Sequence, residues 1–175
     1  MAQGTMSHYT SSILWLRPKS GAGILPRRVN GSGLYAGMVV RATGETDPDV
    51  YIPDGNDDIS LGIALERSDK AIDTAFSDNV WVDVLTVRSG GGAWGFVDDD
   101  EGAIEPWTAL YNTGADNDGY LEVLAVTAAP TTYDDATVQG IVDYLEAAEH
   151  RYVGRAATYQ ADQGSTDVPI KVLMV

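Results

Sequence analysis

Residues 61–87, LGIALERSDKAIDTAFSDNVWVDVLTV, read as two strands joined by a polar loop. Residues 61–66 are a short apolar run closed by a charge. Residues 80–87 are rich in β-branched and aromatic side chains, and Val80, Val82, Val84 and Thr86 share one face at period two. Trp81 falls on the opposite face. Either it meets solvent or a partner, or both faces of that strand are buried.

The pattern returns at the C-terminal end of the sequence. Residues 153–159 are followed by a polar loop over 160–167 and a Val-rich run over 168–175. Leu61-Gly62-Ile63-Ala64 and Val153-Gly154-Arg155-Ala156 both spell hydrophobe-Gly-x-Ala. Working outward, residues 107–114 lie 70 positions after residues 37–44, and both segments end in Thr-Gly. Residues 120–124 stand where the first half has Val50-Tyr51-Ile52. These pairings predict an internal duplication. Two copies do not make a solenoid.

The expected class is mainly β: a small β-barrel, β-tulip or sandwich, turn-rich because the chain holds 19 glycines and 7 prolines. Residues 93–97 are a further strand after the turn at 89–92. One helix is expected over 136–151, with Val138, Ile141, Val142, Leu145 and Ala148 on one face and Asp134 or Asp135 at its start. An alternative alignment of Gly140-Ile141-Val142 with Gly62-Ile63-Ala64 would make that segment a strand.

Charge divides the chain. It carries 26 acids, 19 Asp and 7 Glu, against 11 bases, for a net charge of −15. Residues 1–44 hold no acid but hold Arg17, Lys19, Arg27, Arg28 and Arg41. The expected organisation is a basic extended N-terminal arm over 1–34 and an acidic β-rich domain over 35–175. The arm either lies along another surface or folds as strand and loop onto its own acidic body; composition leaves both open. Residues 1–12 are expected to be flexible or held by a partner. Few Lys and many Asp suit a halophilic source, where concentrated salt screens self-repulsion. An acidic body disfavours direct contact with nucleic acid. No apolar run reaches membrane-span length, and no signal peptide is expected.

Chemistry finds little purchase. There is no cysteine, and the two histidines, His8 and His150, stand apart, so neither a transition-metal site nor a nucleophile–base pair is expected. Residues 90–95 match the G-x-G-x-x-G spacing but lead into a strand, whereas a dinucleotide site needs a helix there. Acid-rich stretches at 54–58, 98–101 and 116–119 are candidate cation loops, but they are equally what β-turns require. No enzyme activity and no cofactor are expected. The candidate partner contacts are Trp15 and Leu16 as an apolar anchor, Arg17, Arg27 and Arg28 as basic contacts, and Trp81 as an exposed aromatic.

The segments YAGMVVRATG (35–44), LGIALERSDKAIDTAFSDNVWVDVLTV (61–87), EPWTALYNTG (105–114) and VGRAATYQADQGSTDVPIKVLMV (153–175) resemble the small β-rich capsid decoration, or cement, proteins of tailed viruses. The resemblance implies a virion protein on the capsid surface that stabilises the shell by clamping neighbouring capsomers. It further implies the major capsid protein as partner, a homotrimer at threefold positions, and an N-terminal arm reaching across capsomers. With the acidic composition, it suggests a virus of a halophilic archaeon. Two other classes stay open: a tail or head–tail structural subunit, and a small acidic enzyme or carbohydrate-binding module.

Overall fold

The valine-rich runs form strands, and the Gly, Pro and Asp clusters between them form turns. The computed structural model describes residues 12–19, 23–42, 48–55, 58–66, 73–98, 101–114, 119–124, 134–162 and 168–175. In chain order the elements are β1 (Leu14–Leu16), β2 (Ile24–Val29), β3 (Val39–Ala42), β4 (Asp49–Tyr51), β5 (Ser60–Ala64), β6 (Trp81–Thr86), β7 (Gly92–Val97), β8 (Ala109–Asn112) and β9 (Leu121–Glu122). Helix α1 (Asp135–Arg151), β10 (Tyr152–Ala156) and β11 (Val168–Leu173) follow.

The duplication is complete at the level of topology. β2, β4, β3, β5 and β6 close into a five-stranded barrel, in which β2 and β4 run parallel and every other pair antiparallel. β7, β9, β8, β10 and β11 close in the same cyclic order, again with only the first and third strands parallel. Even the irregularities match. Val40 pairs with Gly62 and Arg41 with Ser60, skipping Leu61; Leu110 pairs with Gly154 and Tyr111 with Tyr152, skipping Val153. Each skip is a β-bulge that bends the strand at the same corner. The glycine beside each bulge answers to a close approach. A Cβ on Gly62 would stand 2.0 Å from the Leu85 carbonyl oxygen, and one on Gly154 would stand 2.4 Å from that of Leu173.

The expected arm is corrected here. β2 lies between β6 and β4, and Val29 N–H donates to Val80 O on one side while Arg28 N–H donates to Pro48 O on the other. Ile24–Val29 is therefore barrel wall, the counterpart of β7, and residue 34 marks no boundary. The barrels divide between β6 and β7. Pro26 disguised the strand, since proline within a run argues against a central position. It is accommodated because β4 pairs only from Arg28 onward, so the side of Pro26 lacking an N–H meets no ladder.

The segment before β2 also folds onto its own chain. β1 pairs with β7 at Leu14–Ala93 and Leu16–Gly92, the end of β7 that β9 leaves open. Ile13 is fully buried; its carbonyl accepts from Trp94 N–H at 2.8 Å in barrel two, and its N–H donates to Glu66 beside barrel one at 2.8 Å. Residues 12–16 thus strap the two barrels together. Of the two dockings left open by composition, the described residues adopt the one in cis; residues 1–11, including His8, lie outside the described set.

The buried apolar residues of the two barrels form one cluster, with Val29, Val40, Ile63, Val84 and Leu85 from the first and Phe96, Leu121, Ile170 and Val172 from the second. A buried polar cluster sits at the joint. Asn112 Nδ2 donates to Ser60 Oγ at 2.6 Å, and Ser60 Oγ donates to the Arg151 carbonyl at 3.0 Å. Arg151, buried at the end of α1, donates through Nε to the Asn112 carbonyl at 2.9 Å and pairs with Glu122. Every buried group in this cluster meets a partner, as desolvation demands.

Helix α1 is an insertion peculiar to the second half, where the first half has the loop from β4 to β5. Asp134 caps it, accepting from Thr137 N–H at 2.8 Å, and these bonds hold its carboxyl below the ordinary Asp value. The segment is a helix and not a strand, but its apolar face is uncovered: Val138, Ile141, Val142 and Leu145 are all exposed.

Candidate functional site

The candidate contacts expected from sequence part company in the structure. Trp15 is engaged within the chain. Its indole N–H donates to Ala93 O at 3.1 Å, its ring covers Gly92, and Lys171 Nζ lies 5.6 Å from its ring centroid and 5.2 Å from that of Trp94. Lys171 therefore bridges two aromatic faces and fixes β1 against β7. Leu16 and Arg17 are exposed at the end of β1. Arg28 Nε meets Asp49 Oδ1 at 2.5 Å. That hydrogen bond, helped by one from Asn30, holds the Asp49 carboxyl below the usual carboxylate range despite its burial.

Arg27 is half-buried, and its Nε has no hydrogen-bond partner among the described residues. Trp81 is on the outer face of β6, 52% exposed, directly across the ladder from Arg28. Val82 and Val84 share the inward face, while Leu85, also buried, falls on the face that carries Trp81, so both faces of that strand carry buried apolar side chains and Trp81 stands at its exposed end. Arg28 and Trp81 come together on the outer face of barrel one, and Arg27 falls on the opposite face of β2, across from buried Val82; Trp15, Leu16 and Arg17 stand apart on barrel two.

Trp107 is not among the candidate contacts expected from sequence. It is 62% exposed and holds φ at +70°. It occupies the third position of a turn closed by Thr108 N–H donating to Glu105 O at 3.2 Å, and Arg155 Nη1 donates to its carbonyl at 2.8 Å. Tyr159, 55% exposed, follows on the adjoining segment. The signal was present in the 70-residue offset, which sets Trp107 against Gly37.

The carboxylates at 54–58 act as turn acceptors. Asp58 Oδ2 accepts from Asp54 N–H at 2.8 Å and Gly55 N–H at 2.9 Å, and Arg41 pairs with both Asp54 and Asp58. Glu101 accepts from Val123 N–H. Asn56, Asp57, Asp99, Asp100 and residues 116–118 lie outside the described residues, among which no group of three or more potential ligands converges. The described residues include two hollows. One of about 220 Å³ is lined by Asn30, Arg41, Tyr51 and Asp54. Within it Asn30 Nδ2 donates to Tyr51 Oη at 2.6 Å, and Arg41 lies over the Tyr51 ring. The other, about 350 Å³, lies between the end of α1 and barrel one, where Arg88 and Glu149 pair at 3.6 Å beside His150 and Tyr152.

Among the described residues no helix is long and apolar enough to cross a membrane. Compared with known proteins, the chain matches no family model and no curated sequence.

Proposed function

We propose that this chain is a structural virion protein of a tailed virus, a non-enzymatic decoration protein that sits on the outside of the capsid shell and clamps neighbouring capsomers. The observation that carries the reading is the placement of exposed tryptophans on both halves of one rigid body, Trp81 on barrel one and Trp107 on barrel two. Two anchors on barrels that share a core and are strapped together by residues 12–16 let one molecule hold two neighbouring surfaces. The second contact then forms at high effective concentration. The resemblance of residues 35–175 to cement proteins supports the same reading. A net charge of −15 suits a body that stays solvated outside the shell and keeps away from the packaged nucleic acid. It also suits a halophilic setting, and the partner in this reading is the major capsid protein.

The test uses shells of the encoding virus assembled without this protein. Adding the purified chain is expected to give saturable co-sedimentation, density at fixed positions over capsomer junctions by electron cryomicroscopy, and a higher shell disruption temperature. Trp81→Ala should weaken attachment at least about tenfold if that side chain is an anchor. Shells that sediment bare at saturating protein in high salt refute the proposal. Attachment confined to tail or portal structures would assign the chain to the tail or head–tail class instead.

A further inference from the structure

Residues 135–151 spell DATVQGIVDYLEAAEHR, and at helical spacing Val138, Ile141, Val142 and Leu145 fall in one stripe. Helices of this length owe most of their stability in water to packing of such a face. Here the face meets water. Val138 is 48% exposed and Leu145 59%, with Ile141 and Val142 open between them. From Asp134 to Glu146 every residue but Thr137 is exposed, and Arg151 in the last turn is the one buried residue of the helix. That turn fixes α1 to the body: Arg151 holds the Asn112 carbonyl and Glu122, and Arg88 pairs with Glu149 at 3.6 Å. The turns before it project.

The barrel closes without this helix. Barrel one has the same cyclic strand order with a loop from β4 to β5 in its place. The helix is nonetheless built to stand alone. Asp134 caps it at Thr137 N–H, and Gln139 Nε2 donates to Asp143 Oδ1 at 2.7 Å one turn on. Four aliphatic side chains in line on a capped, projecting helix have the pattern of helix-in-groove recognition.

The charges beside the stripe define what can cover it. Asp135 and Glu146 line one edge, because eleven residues return the helix to within about 20° of the same direction. Glu149 closes the C-terminal end of the stripe, and no Lys or Arg stands between Asp135 and Glu149. A helix that lies on a lipid surface flanks its apolar face with Lys and Arg, so a membrane does not fit. A second copy would set one acidic edge against another, on chains that each carry a charge of −15. The complementary surface is a protein groove with an apolar floor and a basic rim. We propose, on the basis of the decoration reading above, that α1 lies in such a groove of the capsid shell protein. The helix joins the body beyond the ends of β6 and β8 that lie away from Trp81 and Trp107, so helix and tryptophans reach different parts of the shell.

The experiment adds the full-length chain to shells assembled without it and reads co-sedimentation at about 0.1 M and about 2 M NaCl, where screening differs strongly. The wild type is expected to bind saturably at both. The double variant Ile141→Gln, Leu145→Gln should bind at least about tenfold more weakly at both salts. The melting temperature of the free double variant should stay level, since these side chains are in water before docking. Glu146→Lys should weaken binding at about 0.1 M and lose most of that effect at about 2 M, where rim charges are screened. Gly140→Ala adds a Cβ that meets nothing within 4 Å, so it should raise the melting temperature and leave shell binding at wild-type strength or above. Shells left bare by the wild type refute the decoration reading and the groove with it. Shells that bind the wild type and take up the double variant as tightly refute the groove alone. A double variant that melts lower would place the stripe inside its own molecule, and a Glu146→Lys chain that binds as tightly as wild type at about 0.1 M would remove the basic rim; either overturns the proposal. So does a free wild-type chain whose self-association is lost in the double variant, which would give the stripe to a second copy.

Discussion

Replacing Gly62 by alanine tests whether the glycine shared by the two halves is set by close packing of backbone. The added Cβ would meet the Leu85 carbonyl oxygen at 2.0 Å, its carbonyl carbon at 2.8 Å and Thr86 Cα at 2.9 Å. All three are backbone atoms in β6, paired with β5 through Gly62–Thr86 and Ile63–Leu85, so no side-chain rotation relieves the contact. The strands must part by about 1 Å beside the bulge, in a fully buried part of the core, and overpacking of this kind costs about 3 kcal/mol. For a chain of this size that lowers the melting temperature by roughly 6–12 °C. Gly154→Ala, at 2.4 Å from the Leu173 carbonyl oxygen, should behave alike. Gly102→Ala, whose Cβ meets nothing within 4 Å, is the control and should stay within about 0.5 kcal/mol of wild type. Urea unfolding followed by tryptophan fluorescence reads all three. If Gly62→Ala unfolds at the midpoint of the Gly102→Ala control, steric demand does not explain the glycine and the motif that aligned the halves has lost its physical basis.

Deleting residues 1–33 removes β2 and opens barrel one between β4 and β6, so the truncated chain should lose the cooperative unfolding transition seen by circular dichroism; a truncated chain that melts like the full one would restore the separable-arm reading. Lys171→Met should cost about 1–2 kcal/mol by removing the cation shared by Trp15 and Trp94. A double-mutant cycle with Trp15→Phe should show coupling, and strict additivity would argue against the shared contact. Asp49 has a carboxyl held below its unfolded value, so its contribution is present above the ordinary Asp range and lost as pH falls through the lowered folded value. Asp49→Asn should therefore destabilise at neutral pH and flatten the acid limb of stability against pH; parallel acid limbs for the two chains would show that Asp49 does not carry it.

Much of this fold was legible because its signals are local. Period-two valines mark β6 and β11, the Gly-x-Ala runs mark β5 and β10, and the Thr-Gly endings align β3 with β8 in the register the barrels use. Helix α1 was legible from its cap and its 3.6-residue period. What sequence alone determined was therefore the strands other than β1 and β2, the duplication and the acidic composition. Tertiary structure decided what local pattern does not encode. Proline and two arginines make Ile24–Val29 look like a linker, and only closure of a five-stranded barrel, which leaves no edge unpaired, requires a strand there. The strap of residues 12–16 and the joint of Ser60, Asn112 and Arg151 join positions far apart in the chain, as does the cover that Lys171 gives Trp15. Trp15 and Trp107 are the same residue type with opposite fates. One is packed over Gly92 and the other stands exposed on a left-handed turn, because burial is settled by which surfaces meet in three dimensions.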